Sequence, residues 1–184
     1  MKKIFALIFF SLFLAACNPS NETKQTSEVS KDSPNQLYEQ ASKLNYFTSG
    51  NMMSLNKVYI LFDPQCPHCG QLWTELKDVN NVNINWIPVA FMNNKSLGQG
   101  AYILQSSSPI NAMIEHERLM DEKKGGIIAG EIKDDFKAKI ETNNVFFKKN
   151  FQGVPVLLIK NKQEQFEVIP GGISKETLKG KLFN

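Results

Sequence analysis

At 184 residues, 42% of them hydrophobic, the chain is long enough for one ordinary globular domain with a sizeable core and an appendage, and short for two full domains. Its 21 basic and 18 acidic residues leave a formal charge of +3 and are scattered along the chain, without a Lys/Arg stripe, so nucleic acid is excluded as a partner. Three cysteines and two histidines remain as candidates for specialised chemistry.

Lys2 and Lys3 precede an apolar run from Ile4 to Leu14, the layout of an export signal. A helix over that run rises only about 16 Å, short of a hydrocarbon core of about 30 Å, so cleavage is expected rather than a membrane span. Leu14-Ala15-Ala16-Cys17 resembles a bacterial lipobox. The resemblance implies that residues 1–16 are removed and that Cys17 is acylated as the mature N-terminus; the alternative is an ordinary signal in which Cys17 is incidental. A thioether-linked diacylglycerol and an N-acyl chain exceed the two hydrophobic signals that stable anchoring needs. The expected location is a periplasm-facing membrane lipoprotein. The outer membrane is favoured because Asn18, and not an aspartate, follows the cysteine.

From Asn18 to Asn35 the chain has no aromatic residue and one valine, so it cannot bury enough surface to offset its ordering entropy. Residues 17–35 read as a flexible tether of at most about 60 Å, or about 25 Å as a coil. Folded sequence begins near Gln36, where Leu37, Ala41, Leu44 and Phe47 fall at helical spacing and Gly50 ends the pattern. The run KVYILF follows, a β-branched and aromatic strand suited to burial on both faces, closed by Asp63-Pro64.

Directly after this strand comes CPHC, Cys66 to Cys69. Cys69, Leu72, Trp73, Leu76 and Val79 then share one helical face. The second strand, NVNINWIPVAF, completes a βαβ unit whose strands should be parallel neighbours. Residues from about 95 to 150 carry apolar positions every three or four residues, broken at Ser106-Ser107-Ser108-Pro109 and at Gly125-Gly126. They predict a helical insertion of three or four helices. VPVLLIK and QFEVIP then form a hairpin around Asn161-Lys162, and Ser174 caps a final helix.

Three readings compete for the cysteine pair. A structural zinc site needs four ligands, and His68 lies between the two cysteines, where it is poorly placed to close their tetrahedron. His116 sits among charged neighbours in IEHER and reads as solvent-exposed. No metal is therefore expected. An inert disulfide closing so short a loop constrains the unfolded chain little. The third reading is a reacting dithiol. Cys66 stands at a helix mouth, where unpaired amides and the macrodipole stabilise a thiolate; His68 can add to this, and Pro67 stiffens the first turn. Cys69, one turn further and facing the core, is the resolving thiol. Because stabilising the thiolate stabilises the reduced form, the disulfide becomes a stronger oxidant.

VYILFDPQCPHCGQLW resembles the active-site strand and helix of the thioredoxin-fold disulfide oxidoreductases of the bacterial periplasm, with a DsbG/DsbC-like body running from about Gln36 to the C-terminus. Gly153-Val154-Pro155 matches that family's cis-proline loop. The resemblance implies an α/β class, a thioredoxin fold with a helical insertion between the βαβ half and the C-terminal ββα half. It also implies that Val154 and Pro155 hold a substrate peptide beside Cys66.

Three departures stand out. CPHC and the valine before the proline are DsbA-like. The N-terminal dimerisation domain of DsbC and DsbG has no counterpart here, so a monomer is expected. Ile60 occupies the position of the buried acid that takes the resolving cysteine's proton in thioredoxin and DsbA, leaving Asp63 or solvent to serve; Asp63 reads first as a turn residue.

The expected activity is disulfide exchange with exported proteins through Cys66 and Cys69, with oxidation favoured. No cofactor beyond the Cys66–Cys69 disulfide is expected. The partners implied are exported substrates and a membrane redox protein of DsbB or DsbD type. An isomerase or reductase kept reduced by a membrane donor, and a peptide-binding chaperone with a vestigial dithiol, are the alternatives.

Overall fold

The computed structural model describes residues 32–183. The export signal of residues 1–16, the acylation at Cys17 and nearly all of the 17–35 tether lie outside the described residues. Ser33 caps helix α1 (Pro34–Ala41) through a capping box with Gln36, so Pro34 and Asn35, expected at the end of the tether, are helical.

The helix ends at Ala41 rather than running on to Phe47, which instead opens a short strand, β1 (Phe47–Gly50). Phe47 satisfies the helical spacing by coincidence, and its ring turns to the sheet, edge-on to Phe62 and Trp73 at 6.1 Å from each. β2 (Lys57–Phe62), α2 (Pro67–Leu76) and β3 (Asn83–Pro88) form the expected βαβ unit, with β2 and β3 parallel. The insertion contains α3 (Ser96–Gln105), α4 (Pro109–Asp121) and α5 (Asp134–Asn150). β4 (Val156–Lys160), β5 (Phe166–Pro170) and α6 (Lys175–Leu182) complete the described chain.

The strands lie in the order β1-β3-β2-β4-β5, with β1, β4 and β5 antiparallel to their neighbours. β2 is central, and its alternation splits the core in two. Val58, Ile60 and Phe62 enter one cluster with Cys69, Leu72, Trp73, Leu76 and Trp86. Tyr59 and Leu61 enter another with Leu37, Ile87, Phe146, Phe147 and Leu158. Period-two side chains on a strand covered from both sides produce this division. Trp73 and Trp86 meet edge to face at 5.0 Å, pinning α2 to β3. The dithiol is thereby carried at the C-terminal end of the central strand.

The hairpin turn is closed by Asn161, whose Oδ1 accepts from the amides of Gln163 (2.9 Å) and Gln165 (3.0 Å). Ser174 caps α6 by accepting from the Thr177 amide at 3.2 Å.

Candidate active site

Cys66 is the N-cap of α2, with extended backbone, and Pro67 occupies the first helical position. Both cysteines are buried free thiols; Cys66 is 5% exposed and Cys69 1%. The Cys66 thiol is lowered from 9.0 to about 6. The largest cause is a hydrogen bond from the Cys69 thiol, opposed by burial and supplemented by the backbone amides of Cys69 and His68. The helix amides expected to carry this effect are present, but second to the partner thiol. Burial pushes the Cys69 thiol far above its ordinary value, and the bond to Cys66 adds to that shift. The pair is therefore asymmetric: one sulfur ionises readily and its neighbour holds a proton.

His68 contributes through its backbone. Its imidazole is exposed and lies with Nδ1 3.1 Å from Gln71 Oε1. The Val154–Pro155 peptide is cis. The Val154 carbonyl oxygen lies 3.7 Å from Cys66 Sγ, so the loop before β4 touches the dithiol from the far side of the sequence.

Asp63 is fully buried, and a turn-residue reading understates it. Its Oδ1 accepts from the Gln65 amide (2.7 Å) and the Ser96 hydroxyl (2.8 Å). Its Oδ2 accepts from the amides of Phe91 (2.6 Å) and Met92 (2.8 Å). One carboxylate thus ties the segment leading into Cys66 to the β3–α3 loop and the start of α3. Ile60 is completely buried in the cluster that contains Cys69, so the floor beneath the dithiol is apolar.

His116 corrects the expectation of an exposed residue: it is fully buried. One ring nitrogen, Nε2, donates to the Pro64 carbonyl (2.7 Å), and Nδ1 accepts from the Ile127 amide (3.3 Å). Gly126, at φ +81°, passes so close over the ring that a Cβ there would overlap it. The buried histidine therefore splices the loop after α4 to the approach to Cys66. Its burial depends on the Gly125-Gly126 turn folding back, which the charged IEHER context does not announce.

A cleft of about 510 Å³ opens beside Cys66, lined by Cys66, Pro67 and Gly70 at the start of α2 and by Glu117, Met120 and Asp121 of α4. Glu117 was not singled out by the sequence. It sits in the same charged run as His116, without a spacing signal to distinguish it.

The sheet order, the CPHC pair at the strand-to-helix junction and the cis proline facing it decide the architecture. The chain has a thioredoxin fold. Solved structures agree: a periplasmic thioredoxin-like protein from Salmonella enterica serovar Typhimurium superposes with a TM-score of 0.63 at 20% identity, covering 83% of this chain and 97% of that one. The catalytic domain of Proteus mirabilis ScsC gives a TM-score of 0.62 at 17% identity, covering 80% and 95%. Among curated proteins, the thiol:disulfide interchange protein DsbG of Pseudomonas aeruginosa is 24% identical over 86 residues. That match spans 45% of this chain and only 34% of the relative's length. No protein-family model matches the chain.

Proposed function

We propose that this protein is a thiol–disulfide oxidoreductase that exchanges disulfides with exported proteins, with Cys66 as the exchanging sulfur and Cys69 as the resolving one. The observation that carries this reading is the asymmetry of the pair, a Cys66 thiol lowered to about 6 beside a buried, protonated Cys69. An inert structural pair has no need of such an arrangement. The names of the similar proteins support the same chemistry.

In the oxidising direction, a substrate thiolate attacks Cys66 of the disulfide and Cys69 leaves, giving a mixed disulfide. A second substrate thiolate then attacks its partner sulfur, Cys66 leaves as a thiolate, and the substrate has lost two electrons to the dithiol. Reduction runs the same steps backwards. Val154, whose backbone borders Cys66, and Pro155 form the rim on which a substrate peptide rests. Pro67 fixes the helix entry, and His68 supplies an amide to the thiolate. Oxidation is the favoured direction, acting from a lipid anchor at Cys17 that faces the periplasm. A membrane redox protein would regenerate the working state, and the protein works as a monomer.

The test is trapping. Cys69→Ala in cells should accumulate mixed disulfides through Cys66, and the captured proteins identify clients and direction. A Cys69→Ala protein that captures nothing, while the wild type stays in one unchanging redox state, contradicts the proposal. If Cys66→Ala leaves all activity towards client proteins intact, the chaperone reading takes its place.

A further inference from the structure

Resolution of a mixed disulfide requires Cys69 to give up a proton, and its return as a leaving group requires one back. The floor under the pair cannot supply it, because Ile60 is apolar and fully buried. Asp63, the nearest acid in sequence, has both oxygens committed to four donors. The cleft beside Cys66 holds three other carboxylates. Glu75 is exposed and accepts from the Lys175 amide at 2.9 Å, and Asp121 is exposed at the end of α4. Glu117 differs from both. It is half-buried and makes no hydrogen bond or ion pair among the described residues. Its Oε2 lies directly over Gly70, the residue after Cys69, so closely that a Cβ on Gly70 would overlap it. The glycine is what lets the carboxyl reach the active-site helix.

We propose that Glu117 carries the proton of this dithiol, accepting it from Cys69 by way of cleft water when Cys69 attacks a mixed disulfide, and returning it when Cys69 leaves. The inference rests on the exchange activity proposed above. In the resolving step the Cys69 S–H proton passes to the Glu117 carboxylate. The Cys69 sulfur then bonds to Cys66, and the substrate thiolate departs with the electron pair of the broken S–S bond.

Charge supplies the timing. Burial, then the charge of Asp121, then that of Cys66 push Glu117 up to about 7. Once Cys66 is tied up in a mixed disulfide its negative charge is gone, and Glu117 ionises more readily at the moment a base is required. The charged or titratable groups facing it are Cys66 and Glu75 on α2, with Asp121 on its own helix.

The test follows the purified, reduced protein reacting with an excess of a chromogenic aryl disulfide in stopped flow. The first release of coloured thiolate reports Cys66 attack; the second reports Cys69 resolving the mixed disulfide. In the wild type the second phase should accelerate with pH through an inflection at or below about 7. Glu117→Gln, which keeps the size and removes the charge, should slow that phase near pH 7 by about tenfold or more and abolish the inflection, leaving the first phase no slower. Gly70→Ala displaces only the flexible end of Glu117 and should slow the second phase in the same way, which keeps the question open to decision if the glutamine variant folds poorly. A second phase with wild-type rate and pH profile in both variants would overturn the assignment. A wild-type protein that releases no second thiolate would instead sink the exchange activity itself, and the proton role with it.

Discussion

Asp63→Ala is the substitution whose cost the structure fixes most closely. The carboxylate accepts from three backbone amides and one hydroxyl at 2.6 to 2.8 Å, and the residue is fully buried. Hydrogen bonds to a charged acceptor contribute about 1.5–3 kcal/mol each, while a donor left unsatisfied in a buried place costs about 1–3 kcal/mol. Phe91 and Met92 are both 47% exposed, so water can reach their amides in the variant and the lower figure applies to them. The Ser96 hydroxyl is enclosed and takes the higher one. With about 1 kcal/mol for each of the Phe91 and Met92 amides and for that of the half-buried Gln65, and about 3 kcal/mol for the hydroxyl, the loss should be about 6 kcal/mol, a large part of the about 5–15 kcal/mol that holds a typical domain together. Urea unfolding followed by the fluorescence of the buried Trp73 and Trp86 measures it, with the midpoint falling and the slope unchanged. A loss under about 1 kcal/mol would refute the view that Asp63 is the tie between the approach to Cys66 and the β3–α3 loop.

Further outcomes follow from the same geometry. Near pH 7 a thiol moved from 9.0 to about 6 is about 90% ionised instead of about 1%; this stabilises the reduced form by about 1.4 kcal/mol and raises the potential by about 30 mV. The gap between thioredoxin near about −270 mV and DsbA near about −120 mV is about five times that, so an intermediate potential is expected in glutathione equilibration. The potential should fall by about 59 mV per pH unit below pH 6 and by about 30 mV per unit above it; a single slope up to pH 9 would contradict the lowered thiol. For His116, burial holds the ring below its ordinary value, so the folded state binds fewer protons than the unfolded one. Stability should therefore be complete above about pH 6.5 and decline as pH falls below it, a dependence that weakens in His116→Gln when thermal melts near pH 5 and 7 are compared. His116→Gln should also cost about 1–3 kcal/mol near pH 7, because the Pro64 carbonyl and the Ile127 amide lose their buried partner. Unchanged melts would show that the histidine does not hold the loop.

The βαβ unit, the helical insertion and the terminal hairpin were legible because their apolar residues repeat with a period the chain keeps for a whole element. β1 was not, because FTSG is only four residues long and Phe47 also fits the preceding helix. Its strand character comes from pairing Phe47 with Trp86 and Gly50 with Asn83, partners far along the chain. At the site, CPHC and Gly153-Val154-Pro155 are local signatures, and the structure brings them together. His116, Asp63 and Glu117 owe their surroundings to tertiary folding: the Gly125-Gly126 turn covers the histidine, α3 encloses the aspartate, and Gly70 admits the glutamate. No spacing rule within IEHER separates the buried histidine and half-buried glutamate from their exposed neighbours.

The most direct measurement is the ultraviolet thiolate titration of Cys66 in the reduced domain, with Cys66→Ala as the blank. The hydrogen bond from Cys69 and the amides opening α2 predict half-ionisation at about pH 6. Half-ionisation near 9.0, the value of an unperturbed thiol, would leave Cys66 with no more reactivity than any buried cysteine and would contradict the exchange chemistry at its root.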